Sequence, residues 1–449
     1  MSKQMNLLVI LIDQQHWNMM SCAGNPHVHT PNMDRLAQEG VRFTRTYAAN
    51  PVCIPSRFSL MTGRMPTAIG MRSNADNSAE PLPQDIERNA LGHLARRAGY
   101  RPLYGGKQHI PRSSAEKMGF EYFCVDERDA LADACAKRLS RGEDEPFLMV
   151  ASFINPHDIC YMAIRESAET PEERDLIERG GIELATLEHD MRMPEGVDEE
   201  RFFAELCPPL PDNFEPQEGE PEAIANLLAK RPFRKKARED WDERPWRMHR
   251  WAYAKLTERV DREIGKVLDA LDHGPHADNT VLVFTSDHGD MDASHRMEHK
   301  TAFYDEAARV PLIVRRPGET HPGRVDHTHL ISNGLDFVPT FCDYMGIEPP
   351  ADLEGQSFRP RVETGRPAGQ LANPSNSSRP WIKIENEIGR CVVSATHKYA
   401  RYDEGERAEQ FVDLVNDPGE MRNAVDNPEQ ADALRQHRAW YDQAFPDVH

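Results

Sequence analysis

Residues 53 to 64 read Cys-Ile-Pro-Ser-Arg-Phe-Ser-Leu-Met-Thr-Gly-Arg. A cysteine close to Arg57 could be a thiolate nucleophile of depressed pKa, a metal ligand, or a side chain awaiting modification. Two dipeptides elsewhere offer donors for a cation. Asp13-Gln14 closes the apolar run Asn6 to Ile12, and Asp287-His288 follows the run Thr280 to Thr285. Two carboxylates, an amide oxygen and an imidazole, brought together from two strand ends, would hold a divalent cation. An aspartate at a strand end also serves as a turn or cap residue, so either pair alone is ambiguous and their joint occurrence favours the metal.

These residues need a frame that gathers strand ends. The unbroken apolar character of Asn6 to Ile12, Phe147 to Ile154 and Thr280 to Thr285 predicts strands buried on both faces of a parallel sheet. Thr30-Pro31 opens a helix that Gly40 ends, Val41 to Tyr47 alternates like a strand, and Asn89 to Ala98 is a second helix leading into a short strand, Tyr100 to Tyr104. Tyr253, Leu256, Val260, Ile264, Val267, Leu268 and Leu271 recur at spacings of three and four, which marks a long amphipathic helix. The alternation is α/β: a large, mixed, mostly parallel sheet flanked by helices. In such a sheet, ligands bind at the carboxyl ends of the strands. Residues from about 165 to 246 are rich in charge and proline and read as surface helices and loops, either shaping a substrate entrance or forming a solvated excursion. Past Gln356 the pattern changes to short antiparallel strands (Arg390 to Thr396, Lys398 to Tyr402, Gln410 to Leu414) and a terminal helix. The expected domains are 1–360 and a small α+β subdomain over 361–449.

The chain has 449 residues, with 39% hydrophobic and 29% charged, the composition of an ordinary globular protein. A formal net charge of -20 argues against nucleic acid as a partner. The early run Leu7 to Ile12 is too short to span a bilayer and no small-residue cleavage site follows it, so a strand is expected rather than a leader, and the expected compartment is the cytoplasm. Eight cysteines are scattered without a CxxC pair, which argues against a disulfide framework or a zinc ribbon.

The segment 53–64 fits the sulfatase signature C-x-P-S-R-x-x-L-x-T-G-R along its whole length, and the chain resembles the type I sulfatases of the alkaline phosphatase superfamily. Gly-Lys-Gln-His at 106–109, Asn-Pro-His at 155–157, His299-Lys300 with Tyr304-Asp305-Glu306 and Arg309-Val310-Pro311, and Asn416-Asp417-Pro418-Gly419-Glu420 extend the likeness through nearly the whole sequence. The resemblance implies that Cys53 is oxidised by a maturation enzyme to formylglycine, with Pro55 and Arg57 in the segment that enzyme reads. One hydroxyl of the hydrated aldehyde would attack sulfur and the second would expel sulfate. It further implies a metal held by Asp13, Gln14, residue 53, Asp287 and His288; a cationic clamp of Arg57, Lys107 and Lys300; His109 as base for the second step; and His157, assisted by Lys300, as acid for the departing alcohol.

Two positions depart from the commonest pattern, Gln14 for an aspartate and His288 for an asparagine. Calcium is the expected ion, and the imidazole nitrogen makes manganese a stronger alternative than it is for an all-oxygen site, with magnesium third. The same Asp-Gln and Asp-His combination is seen in related phosphonate monoester and phosphodiester hydrolases. The leading expectation is a sulfatase acting on a small anionic sulfate ester, such as a sulfated saccharide. The alternatives are a phosphorus-ester hydrolase on the same scaffold, a saccharide-binding protein without catalysis, and cysteine-thiolate chemistry.

Overall fold

The computed structural model describes residues 4–75, 80–142, 145–364 and 379–446. Its main sheet grows from the apolar runs. In β1 (Asn6–Asp13) every residue is buried, because successive side chains feed two separate cores. Leu7, Val9 and Leu11 enter one of them, with Phe337, Val338 and Phe341 of the helix Asn333–Met345. Leu8, Ile10 and Ile12 enter the other, with Val260, Ile264, Val267, Leu268 and Leu271 of the 30-residue helix Glu243–Asp272. A strand covered on both faces has no polar side to show, which is why the sequence lacks alternation there.

The remaining strands of this sheet are β2 (Val41–Tyr47), β3 (Arg101–Gly106), β4 (Glu121–Cys124), β5 (Phe147–Pro156), β6 (Thr280–Ser286), β7 (Arg309–Arg315), β8 (Arg324–Asp326) and β9 (Ile331–Ser332). The order is β4-β3-β5-β1-β6-β7-β2-β8, with β9 also on β2, making nine strands. Only β7 runs antiparallel to its neighbours. The expected mixed, mostly parallel sheet is therefore present. β3, β5, β1 and β6 lie side by side, so their carboxyl ends form one continuous rim. Register aligns that rim: Asp13 pairs with Pro156, and Ile12 with Ser286.

A separate antiparallel sheet of four strands follows, β10 (Trp381–Asn386), β11 (Gly389–Ser394), β12 (His397–Tyr402) and β13 (Glu409–Asp413), backed by the helix Ala431–Ala444. We propose that the boundary near residue 360 is topological rather than energetic, since Ile382, Ile384, Val393 and Ala400 share a core with Met297, Phe303 and Tyr304.

Two expectations change in detail. Thr30 does not cap the helix Pro31–Glu39 with its side chain; its hydroxyl is taken by Ser21, whose backbone N–H donates to it at 2.9 Å. The charged segment 165–246 is not a solvated excursion. It forms helices over Pro171–Arg179, Gly181–Asp190, Glu222–Ala229 and Pro232–Asp240, and it buries Phe233, Ala237 and Trp246 against Ala163 and Ile164. Among the described residues no helix is long and apolar enough to cross a membrane.

Candidate active site

Asp13 leaves β1, Lys107 follows β3, His157 follows β5, and Asp287 and His288 follow β6, all at the aligned rim. Cys53 arrives from the side, as the first residue of the helix Cys53–Thr62, which is buried along its whole length. Asn74 holds that helix start from above, its Oδ1 accepting from Ile54 N at 2.9 Å. Ser56 ties the helix to the rim by donating to the Asp287 carbonyl at 2.6 Å. Gly289 lets the β6 loop pass close to the next segment, since a Cβ there would sit 1.9 Å from the Glu306 carbonyl oxygen.

One ligand atom from each of Asp13, Cys53, Asp287 and His288 lies within 4.8 Å of all the others, and all four residues are buried. The His288 ring lies with Nδ1 2.8 Å from the Gly289 carbonyl; with the proton on that nitrogen, Nε2 presents its lone pair toward the Cys53 Sγ, 3.0 Å away. Asp287 Oδ2 is a buried oxygen without a hydrogen-bond partner. Its nearest cation, Arg57 Nε at 2.9 Å, pairs with it by charge alone. Convergent oxygen, nitrogen and sulfur donors with an orphaned carboxylate oxygen among them suit a divalent cation. Gln14 completes the cluster. Its backbone is left-handed, at φ 70°, and its Nε2 donates to Asp290 Oδ2 at 2.7 Å. That bond turns Oε1 toward the site, where Lys300 Nζ lies 2.5 Å and Cys160 Sγ 2.9 Å away.

The cations divide into two groups. Lys300 Nζ stands 3.1 Å from Cys53 Sγ, and Lys107 Nζ 2.7 Å from Asp13 Oδ2. Both remain slightly exposed, at 5% and 6%, so both can meet a ligand. Arg57 lies behind the carboxylates, 1% exposed. Its Nη2 donates to Asp13 Oδ2 at 2.8 Å, and its Nη1 donates to the Lys107 carbonyl and to Ser152 Oγ at 2.9 and 2.8 Å. Both terminal nitrogens of Arg57 are thus engaged by the protein. His157 is partly buried, and its Nδ1 has no hydrogen-bond partner. His109 is exposed, on a left-handed backbone at φ 48°, and the structure does not bring it into the cluster.

The electrostatics follow this layout. Burial pushes the Asp13 carboxyl up, but Lys107 and Arg57 outweigh it and hold the group well below the usual range. Burial and the neighbouring Asp13 push Asp287 up to about 6, against the pull of His288 and Arg57. Burial and Asp13 also raise the Cys53 thiol, yet Lys300, His288 and Lys107 bring it well below its ordinary value. Burial, Lys107 and Lys300 keep His157 neutral, its affinity for a proton well below normal. The ammoniums of Lys107 and Lys300 survive burial because of the anionic groups beside them, Asp13 and Cys53 for both.

The family model described as sulfatase matches residues 5–347, about three quarters of the chain. The chain belongs to the sulfatase family. The model of the N-sulphoglucosamine sulphohydrolase C-terminal region matches residues 293–442 of this sulfatase. It is 31% identical to a Delta 4,5-hexuronate-2-O-sulfatase of Bacteroides thetaiotaomicron, over 97% of this chain and 88% of the relative. Among solved structures, a 2-O GAG sulfatase superimposes with a TM-score of 0.81 at 28% identity, covering 99% of this chain and 92% of that one. A phosphonate monoester hydrolase of Agrobacterium radiobacter shares the fold, at a TM-score of 0.73 and 21% identity over 98% and 95% of the two chains. This sulfatase is therefore a sulfuric ester hydrolase of the alkaline phosphatase superfamily.

Several neighbours of the site were not visible in its sequence. Asp290, which orients Gln14, lies close to Asp287 in the chain and could have been suspected from Asp-His-Gly-Asp. Ser152 and Cys160 gave no signal, since their roles arise only from strand and turn packing. Asp158, in the turn after β5, is held by the Arg128 guanidinium at 2.8 Å.

Proposed function

We propose that this sulfatase hydrolyses a sulfate monoester of a sulfated saccharide, with residue 53 as the nucleophile after conversion to formylglycine. The observation that carries the reading is the meeting of Asp13, Cys53, Asp287 and His288 within one coordination sphere, with Lys300 Nζ 3.1 Å from the sulfur. A maturation enzyme is the implied partner. Eight free cysteines suit a reducing compartment, and we place the enzyme in the cytoplasm.

Asp13, Gln14, Asp287, His288 and residue 53 would hold the divalent cation, with calcium as our choice and manganese the first alternative because of the imidazole donor. When bound, the cation supplies positive charge that eases ionisation of a hydroxyl at residue 53 and offsets charge on the sulfuryl oxygens. We assign Arg57 to bracing Asp13 and Asp287 from behind, so that both carboxylates hold their position. Lys107 and Lys300 neutralise the entering ester. His157 is neutral in the free protein; an anionic ester beside it raises its affinity for a proton, which it can then pass to the leaving alcohol.

The alternative, a phosphonate monoester or phosphodiester hydrolase, is favoured by Gln14 and His288. A comparison of kcat/KM on a 2-O-sulfated unsaturated uronide, 4-nitrophenyl sulfate and phenylphosphonate esters decides between them. The matured enzyme should prefer the sulfated uronide, and a large preference for the phosphorus esters would overturn the sulfatase reading. Peptide mass analysis of residue 53 reports the aldehyde directly.

A further inference from the structure

The helix Pro232–Asp240, from the charged insertion, brings an arginine toward the site. Phe233 is buried, and its ring packs 5.0 Å from that of His299, the residue before Lys300. Phe233 and Ala237 also pack on Ala163 and Ile164, in the helix Tyr161–Ser167 that continues from the His157–Cys160 turn. The guanidinium carbon of the next residue, Arg234, lies 5.9 Å from the centre of that same Phe233 ring, beside the His299-Lys300 segment. Arg234 is partly buried, and its Nε is a buried donor without a partner.

Other cations withdrawn from water differ from it in one respect. Arg57, Lys107, Lys398 and Arg128 each contact a carboxylate, and Lys300 contacts Gln14 and Cys53. Among the described residues Arg234 has no ion-pair partner and its side chain donates no hydrogen bond. Burial draws its affinity for a proton down to about 10, and the carboxyl groups that act on it from a distance are Glu387 and Asp290. Arg234 is in turn the strongest charge acting on His299. A guanidinium withdrawn from water without a carboxylate costs stability, and its planar fork matches a two-oxygen anion better than an ammonium does.

We propose that Arg234 is a specificity residue that receives a second anionic group of the substrate, a carboxylate or a further sulfate, on the sugar that carries the scissile sulfate or on its neighbour. This rests on the sulfated-saccharide reading and narrows it: the preferred substrate carries two anionic groups, one for Lys107 and Lys300 and one for Arg234.

The test uses matured enzyme and four substrates: a 2-O-sulfated unsaturated uronide, the same compound with its carboxylate reduced to the alcohol, a disulfated glucosamine, and 4-nitrophenyl sulfate. The parent should prefer one doubly anionic sugar over its singly charged counterpart. Arg234→Met should shrink that preference by about 10- to 100-fold, mainly through KM, and Arg234→Lys should recover part of it. Loss of preference for the uronide over its reduced form identifies the carboxylate as the group read, and loss confined to the disulfated sugar identifies sulfate. A preference unchanged in Arg234→Met, or a parent that hydrolyses all four substrates without preference, overturns the proposal while leaving the sulfatase reading intact. A parent inactive on every sulfate ester but active on phosphonates overturns the function itself. To separate folding from binding, Cys53→Ala and Cys53→Ala/Arg234→Met are compared by calorimetric titration with the uronide. Equal affinity in two proteins of equal melting temperature contradicts the proposal.

Discussion

The buried ionic clusters around Lys398 and around Asp13 differ in whether their valences are filled. Around Lys398, at the join of the two sheets, the ammonium contacts Asp305 Oδ1 at 2.7 Å and Glu420 Oε1 at 2.8 Å, and donates to the Phe303 carbonyl at 2.7 Å. Glu420 Oε2 accepts from Asp305 N at 2.5 Å, and Arg309 reaches Asp305 Oδ2 at 3.2 Å. Burial pushes Glu420 up to about 8, with Lys398 offsetting part of the rise. Each carboxylate oxygen there has a protein donor. Around Asp13 and Asp287, cations are equally close, yet Asp287 Oδ2 is left without a hydrogen bond and four donor atoms face one point. Buried charge and shifted proton affinity therefore mark both places, and neither distinguishes a site from a strut. The unfilled valence does.

The sharpest contrast comes from Cys53→Ala in matured preparations. Turnover should fall by about 10³-fold or more, because the nucleophile is gone, while the melting temperature changes little; sulfate release and a thermal melt measure the two. Cys53→Ser should trap the enzyme after one cycle, since serine cannot re-form a carbonyl, and intact mass would show the sulfated adduct. Lys398→Met should do the reverse, costing about 3–5 kcal/mol of stability by stranding two buried carboxylates, with no dependence on added divalent cation. Denaturant titration with and without calcium checks this, and a loss that calcium repaired would erase the distinction. Asp287→Asn should remove the calcium-dependent rise in stability, which in the parent reaches about 2.7 kcal/mol at a hundredfold excess over Kd.

The smallest effect concerns pH. Burial raises Asp305, but Lys398 and Arg309 outweigh it and its carboxyl lies below the ordinary range. A depressed folded-state value means stability fully present above roughly pH 4, the unfolded carboxylate value, and lost as pH falls through the folded one. Asp305→Asn should cost about 1–2 kcal/mol near neutrality and flatten the fall in urea midpoint below pH 4. A variant that follows the parent throughout would remove Asp305 from the strut.

The central strands were legible because burial on both faces leaves nothing but apolar residues, as in β1, β5 and β6. The same cause hid the helix Cys53–Thr62: with every side chain buried, it has no polar stripe and no helical period to read. β7 was read only as Arg309-Val310-Pro311, since Pro311 interrupts its apolar run. The cation-site dipeptides were visible because strand ends concentrate donors. The bracing position of Arg57, between two carboxylates from different strands, was not. The family resemblance implied a part in binding the ester, whereas packing turned the guanidinium inward. Arg234 was one charge among many in a charged segment, and only its partial burial with an unpartnered Nε, in three dimensions, sets it apart from exposed neighbours such as Arg192 and Arg231.

Cys53 is 0% exposed, with the rim of the sheet beneath it and the Asn74 loop above. No second protein can lay hands on such a sulfur once the chain has closed around it. The conversion proposed for residue 53 therefore has to reach the sulfur before the chain closes over it, and a modifying enzyme added to folded protein should leave it unchanged.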